Sequence, residues 1–235
     1  MVLITLNSKE SDFEIYFKDP IPLSAGGAGR NRAIGLLSAT AWHSWYNISE
    51  EFENNKLKIL LRGKWEVYTI PDGNYDADNL NYWIEDVLQC STDCPVRFDI
   101  NSATNRFMII LDNCQIDLSD GKLHEILGFE PREYKDKINV GEHIGNISRG
   151  VDRLLIHCSL VSDSYENKHA SDIIYSFSPS SAPPGAQITV EPFQPKYLPI
   201  RSMDYIYSLR IKVTDQNNNL INFHGETLTF VLDIK

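Results

Sequence analysis

Alternation of apolar and polar residues dominates the late part of the chain. From Tyr205 to Val213 the odd positions Tyr205, Tyr207, Leu209, Ile211 and Val213 form one face, with Ser208, Arg210 and Lys212 on the other. Leu228, Phe230, Leu232 and Ile234 then alternate with Thr227, Thr229 and Asp233. A period of two marks a strand with one face buried. Further strands are predicted at Val2 to Leu6, Phe13 to Phe17, Ile34 to Tyr46, Leu57 to Leu61, Val151 to Val161, Ile173 to Phe177 and Ala186 to Val190. Polar or Gly/Pro-bearing turns such as Asn54–Asn55 and Thr214 to Asn219 separate them.

The pattern changes after Trp65, where a strand ends at Pro71 and a Pro-Asp-Gly turn follows. Leu80, Trp83, Ile84, Val87 and Leu88 repeat with helical spacing behind Asp76, a suitable N-cap. Val96, Phe98 and Ile100 alternate with Arg97 and Asp99, and Asn101 to Asn105 turn the chain into Arg106 to Leu111, which predicts a hairpin. A second helix is predicted from Leu123, Ile126 and Leu127, closed by Gly128 as a left-handed cap, with Phe129 and Pro131 beyond.

Neither β-rich part alone supplies two sheets. The expected architecture is therefore mainly β: one discontinuous sandwich over 1–64 and 140–235, of about eight strands, with a small α+β unit inserted over 65–130. That strand number suits a jelly roll or an immunoglobulin-like sandwich, and the lack of a paired-Cys and Trp pattern weighs against a true immunoglobulin domain.

Charge narrows the partners. A formal charge of −10 over 235 residues gives no basis for direct nucleic-acid binding, which draws on clustered Lys and Arg. The nearest basic stretch, Gly26 to Arg32, reads as a solvated loop. No basic leader and no long apolar stretch is seen, so a soluble chain without a membrane span, made in the cell interior and not secreted, is expected. Its four cysteines are then expected as thiols. Asn47-Ile-Ser and Asn146-Ile-Ser fit the glycosylation pattern by chance.

Candidate chemistry is sparse. Cys90 and Cys94 have a metal-like spacing but no second Cys/His pair to complete a zinc site, so neither metal nor cofactor is expected. His157 and Cys158 are neighbours on one strand and point to opposite faces, so they cannot act as base and nucleophile. Paired carboxylates such as Glu50 and Glu51, or Asp117 and Asp120, read as solvated turn residues. No enzyme is predicted. Two proline-rich connections, Ser178 to Gly185 and Glu191 to Pro199, suit sheet edges, and Pro183, Pro184, Phe193, Pro195 and Tyr197 are the interface candidates.

Several short runs, taken in order, resemble one family. They are Trp45-Tyr-Asn-Ile48, Asn54-Asn-Lys-Leu-Lys-Ile59, Tyr68-Thr-Ile-Pro-Asp-Gly-Asn-Tyr75 and Leu127-Gly-Phe129, followed by Ser171-Asp-Ile-Ile-Tyr-Ser-Phe177, Pro184-Gly185, Tyr197-Leu-Pro-Ile200 and Phe223-His-Gly-Glu226. This order resembles the penton, or minor capsid, proteins of Polinton (Maverick) elements and adintovirus-like viruses. The resemblance implies a single jelly roll that forms a homopentamer at the five-fold vertices of a virion, among double jelly-roll major capsid proteins. The alternative is a β-sandwich module for host attachment or carbohydrate binding, with Trp42, Trp45 or Tyr197 as stacking platforms.

Overall fold

The structure, a computed structural model, describes residues 2–23, 32–91, 93–146, 151–162, 164–166, 168–179, 182–201 and 204–235. They divide into two compact units, Met1–Trp45 with Val151–Lys235, and Tyr46–Gly150. The first unit opens with β1 (Val2–Ser8), β2 (Asp12–Pro22) and β3 (Ala33–Trp42). The second holds β4 (Lys56–Leu61), β5 (Lys64–Thr69), helix α1 (Ala77–Leu88), β6 (Val96–Asn101), β7 (Arg106–Leu111) and β8 (Gln115–Asp117). Helix α2 (Leu123–Leu127), β9 (Glu133–Tyr134) and β10 (Ile138–Val140) complete it. The chain returns through β11 (Leu154–Cys158), a small hairpin of β12 (Ser164–Glu166) and β13 (His169–Ser171), and β14 (Ile173–Phe177). It ends with β15 (Gln187–Val190), β16 (Tyr197–Pro199), β17 (Tyr205–Thr214) and β18 (Leu228–Ile234).

In the first unit one sheet runs β1-β18-β3, with β15 and β16 both pairing to β3, and the other runs β14-β11-β17-β2. Taking β15 and β16 as one interrupted strand, chain neighbours fall in opposite sheets at every step except β11 to β14. That is the jelly-roll order. Ile4, Leu6, Ile34, Leu36, Leu228, Phe230 and Leu232 from one sheet meet Leu154, Ile156, Leu209, Ile211 and Val213 from the other. Phe13 and Phe230 touch across the core with ring centroids 6.1 Å apart. The last strand is central, hydrogen-bonded to β1 on one side and β3 on the other.

One face of β17 differs from the simple alternation. A register shift between Ile206 and Ser208 moves the buried parity, so Ile206 is inside while Tyr205 and Tyr207 are exposed; beyond it Leu209, Ile211 and Val213 are buried as expected. An irregularity of this kind rotates the side chains beyond it to the other face. Two predicted strands are also shorter. The strand expected to reach Tyr46 ends at Trp42, because Ser44 turns back to hydrogen-bond the Trp42 carbonyl, and the one expected over Val151 to Val161 covers Leu154–Cys158.

The second unit begins at Tyr46, not Trp65, and runs to residue 150, not 130. The reason lies in β4, whose partners are β5 and β8 and whose Leu57 and Ile59 are wholly buried with Ile48, Ile70, Ile84, Ile109 and Ile116. Likewise β10 pairs with β7, inside this unit. Its sheets run β5-β4-β8-β9 and β10-β7-β6.

Both predicted helices form as the local chemistry requires. The Asp76 carboxylate accepts the Asn79 N–H at 2.8 Å, and Leu80, Trp83 and Ile84 are buried. At the end of α2, Gly128 takes φ 75°, its N–H donates to the Glu125 carbonyl, and the Phe129 N–H donates to the His124 carbonyl. A Cβ at Gly128 would lie 2.4 Å from the His143 carbonyl oxygen, so only glycine fits this cap. Among the described residues no helix is long and apolar enough to cross a membrane.

Candidate assembly surfaces

The motif residues of the second unit have a structural task. Asn47 is 1% exposed; its side-chain amide donates to the Tyr75 carbonyl at 2.6 Å and its Oδ1 accepts the Tyr75 N–H at 2.8 Å. Asn54, also buried, donates to the Asn47 carbonyl and accepts the Ser49 N–H, both at 2.8 Å. Ile48 bridges to Gly73. The expected turn Asn54–Asn55 is thus a buried amide network tying three loops together, and Asn47, with both ends of its amide used, is no glycosylation acceptor. In the second acceptor pattern, Ile147 and Ser148 lie outside the described residues. So do Gly26 to Asn31 of the basic loop, whose Arg32 donates to the Leu23 carbonyl at 2.8 Å.

In the sandwich, four strands are edges. β1 and β2, consecutive in the chain, end the two sheets at one side; β14 and β15–β16, also consecutive, end them at the other. The interface candidates follow the second side. Pro183 and Pro184 are exposed in the turn before β15, where Gly185 at φ 77° donates to the His43 carbonyl. Ser180 and Ser181, in the same connection, lie outside the described residues. Phe193 and Pro195 sit between β15 and β16, and Phe193 is 98% exposed. Tyr197 begins β16 and is pinned: its hydroxyl donates to Asp233 Oδ2 at 2.8 Å, and Lys235 Nζ lies 3.8 Å from its ring centroid.

Sequence reasoning missed the exposed tyrosines near β2. Tyr16 stands opposite Ser208, is 74% exposed and donates to Glu14, while the Tyr205 and Tyr207 rings lie 6.2 Å apart. Beside them Arg210 makes a two-pronged bond to Asp12, both contacts at 2.6 Å. Only the register shift in β17 turns Tyr205 and Tyr207 outward, and nothing in the alternation announces it.

The candidate chemistry takes other forms. Cys90 and Cys94 are joined in a disulfide at the end of α1, so neither is the expected thiol and neither sulfur is left for a metal. Among the described residues no group of three or more His, Cys, Asp or Glu side chains converges as a metal site. His157 does find partners: Nδ1 lies 2.6 Å from Asp172 Oδ1 and Nε2 lies 3.0 Å from Thr214 Oγ1. This order imitates a catalytic triad, but Thr214 is fully buried. No substrate reaches it, and the three side chains act as a pin between β11, β17 and the residue before β14. Burial pushes the neighbouring Cys158 thiol up to about 12. Asp117, expected in solvent, is buried and paired with Lys58 at 2.8 Å. As for stacking platforms, Trp45 is 4% exposed, packed by His43 and Phe223, and Trp42 is half-buried.

No protein-family model matches the chain, and no curated protein matches it. A solved structure does: the crystal structure of the mavirus penton protein aligns over 99% of this chain and 98% of its own, with a TM-score of 0.50 at 8% identity. The chain shares the fold of the mavirus penton protein. Because the alignment spans almost the whole of both chains, the penton fold accounts for the interrupted sandwich and the insertion together. At this identity the likeness concerns backbone architecture alone.

Proposed function

We propose that this chain is a penton-type minor capsid subunit of the Polinton (Maverick) and adintovirus-like lineage, assembling as a homopentamer at five-fold capsid vertices. The observation that carries the reading is the end-to-end likeness to the mavirus penton protein. The ordered motifs of the sequence point to the same family. A five-membered ring needs two different, mutually complementary surfaces on each subunit. The sandwich offers them in its two unlike sides, one with Leu3 and Tyr16 exposed, the other with Pro183, Pro184 and Phe193 exposed and Pro195 half-buried. Joining one to the other around the ring would bury Phe193 and cover strand edges that otherwise invite uncontrolled pairing.

The proposed partner around the ring is a double jelly-roll major capsid protein, and the proposed location is the virion, after synthesis in the host cell interior. The role is structural, with no catalytic step. Co-expression with the cognate major capsid protein tests it: image reconstruction should show this chain at every five-fold vertex. Closed shells that form without it, beside free monomeric chain, would contradict the reading.

A further inference from the structure

Residues 46–150 hold 11 Lys and Arg against 19 Asp and Glu, yet one cleft of this unit is basic. It is an open groove of about 490 Å³, lined by Arg62, Lys135, Lys137, Asp112, Asn113 and Gln115 over a floor that includes Leu60, Leu111 and Cys114. The volume is that of a small-molecule site. Arg62, Lys135 and Lys137 are exposed and make no ion pair among the described residues. Elsewhere in the unit Lys58 pairs with Asp117, Lys64 with Glu66, Lys122 with Glu53 and Arg132 with Glu142, while Lys56 and Arg106 stand apart from the cleft.

Three loops place these cations, and each is fixed by backbone geometry. Arg62 and Gly63, at φ 51° and 79°, form the tight turn that joins β4 to β5. Asn113, at φ 53°, turns the chain between β7 and β8, and the Asp112 N–H donates to the Pro95 carbonyl at 2.8 Å. Lys135 to Lys137 link β9 to β10, held by the Leu111 N–H on the Lys137 carbonyl at 2.9 Å and the Asn139 amide on the Asp136 carbonyl at 2.6 Å. The backbone of the cleft is therefore pre-organised, and the ordering left to binding is that of the three exposed cationic side chains.

We infer that this cleft binds an anionic oligosaccharide, through three unpaired cations and a carboxylate with two amides that read sugar hydroxyls. The lining selects the class. Three cations call for anionic groups on the ligand, of which sulfate and carboxylate are those that sugars commonly carry. Asp112 repels an acidic peptide but accepts bonds from sugar hydroxyls, and the Asn113 and Gln115 amides both donate and accept. A nucleic acid, with a charge about every 1.7 Å of duplex, would meet an acidic surface on leaving the cleft. This inference is independent of the capsid reading.

The test is calorimetric titration of the full chain with a heparin-derived tetrasaccharide, a sialylated trisaccharide and a hexaglutamate peptide. Saturable binding of at least one sugar is expected, and which one binds distinguishes a sulfated from a sialylated source. The R62Q/K135Q/K137Q variant should bind about tenfold more weakly, as three solvent-exposed ion pairs predict. The K18Q/K168Q/K196Q variant, with the same charge change on the sandwich, should bind as the native chain does. Circular dichroism and melting curves establish that each variant is folded. Absence of binding to both sugars, equal loss in the two triple variants, or hexaglutamate binding as tightly as the sugars would overturn the inference.

Discussion

The sandwich holds 11 basic against 13 acidic residues, while the insertion, with as many basic residues, holds 19 acidic ones, so most of the net charge of −10 sits on residues 46–150. The interiors differ as well. The sandwich is closed by long strands whose apolar side chains meet across two sheets. In the insertion short strands and two helices are tied by buried amides: Asn47, Asn54 and Asn139, with Asn81 of α1 bonding both backbone groups of Phe98 at 2.7 and 2.8 Å. Long strands obtain their stability from area, and short ones need specific polar ties to hold loops in place.

This contrast can be broken by removing what each unit relies on. The largest effect is expected from deleting Leu228 to Ile234, which removes a central strand whose Leu228, Phe230, Leu232 and Ile234 are all 2% exposed or less. The sandwich should not fold, and soluble, cooperatively melting protein after that truncation would refute the assignment. Next comes Ile211→Ala, at a fully buried sandwich position, expected to cost about 2–5 kcal/mol in denaturant unfolding.

Asn47→Ala should cost about 2–3 kcal/mol, because it leaves both backbone groups of Tyr75 without their partners. Hydrogen exchange sharpens the comparison: faster exchange should appear in β4 and β5, with β11 and β17 unchanged. Uniform acceleration across both units would mean that they do not unfold as separate blocks.

Acid is expected to act on both units. Hydrogen bonds from Arg210 and His157 hold Asp12 and Asp172 of the sandwich below the usual carboxylate range. Burial raises Asp117 in the insertion, but its bonds from Lys58 and Ser119 outweigh that and leave it lowered. A carboxyl lowered in the folded state stabilises it above the unfolded value of about 3.9, and the gain is lost as pH falls through the folded value. The melting temperature should therefore stay level near neutrality and drop below about pH 4, less steeply in Asp172→Asn. A level profile down to about pH 2 would contradict the assigned pairs.

The smallest effect on stability belongs to Phe193→Asp. With 98% of Phe193 exposed, unfolding should shift by less than about 0.5 kcal/mol, while ring assembly fails. Tyr197→Phe should do the reverse: it leaves Asp233, 2% exposed, without its hydroxyl donor and weakens the fold.

The long strands and both helices were legible because their side-chain periods report one-sided burial. Gly128 was legible because a left-handed cap leaves few alternatives. Tyr205 and Tyr207 were misread, since a register shift inverts the face without altering the local pattern. Strands of two or three residues, such as β8, β9, β10 and β16, are too short to show a period, and the bounds of the insertion are hidden because the partners of β4 and β10 cannot be read from alternation. Asn47 and Asn54 looked like turn residues because burial of an amide depends on partners far along the chain. Asp117 is hidden for the same reason, its Lys58 partner lying 59 residues away, whereas Cys90 and Cys94 are only four residues apart and are read as thiols from the compartment alone. The basic cleft was invisible, being built from three loops that meet only in the folded unit.

The most direct test of the central claim is native mass spectrometry of the full chain, alone and with the cognate major capsid protein. The account predicts a species of five times the 26.8 kDa chain mass, free or within a larger complex, that is lost in Phe193→Asp. A strict monomer under both conditions, at concentrations up to about 100 μM, where specific protein interfaces of standard size are formed, would contradict it.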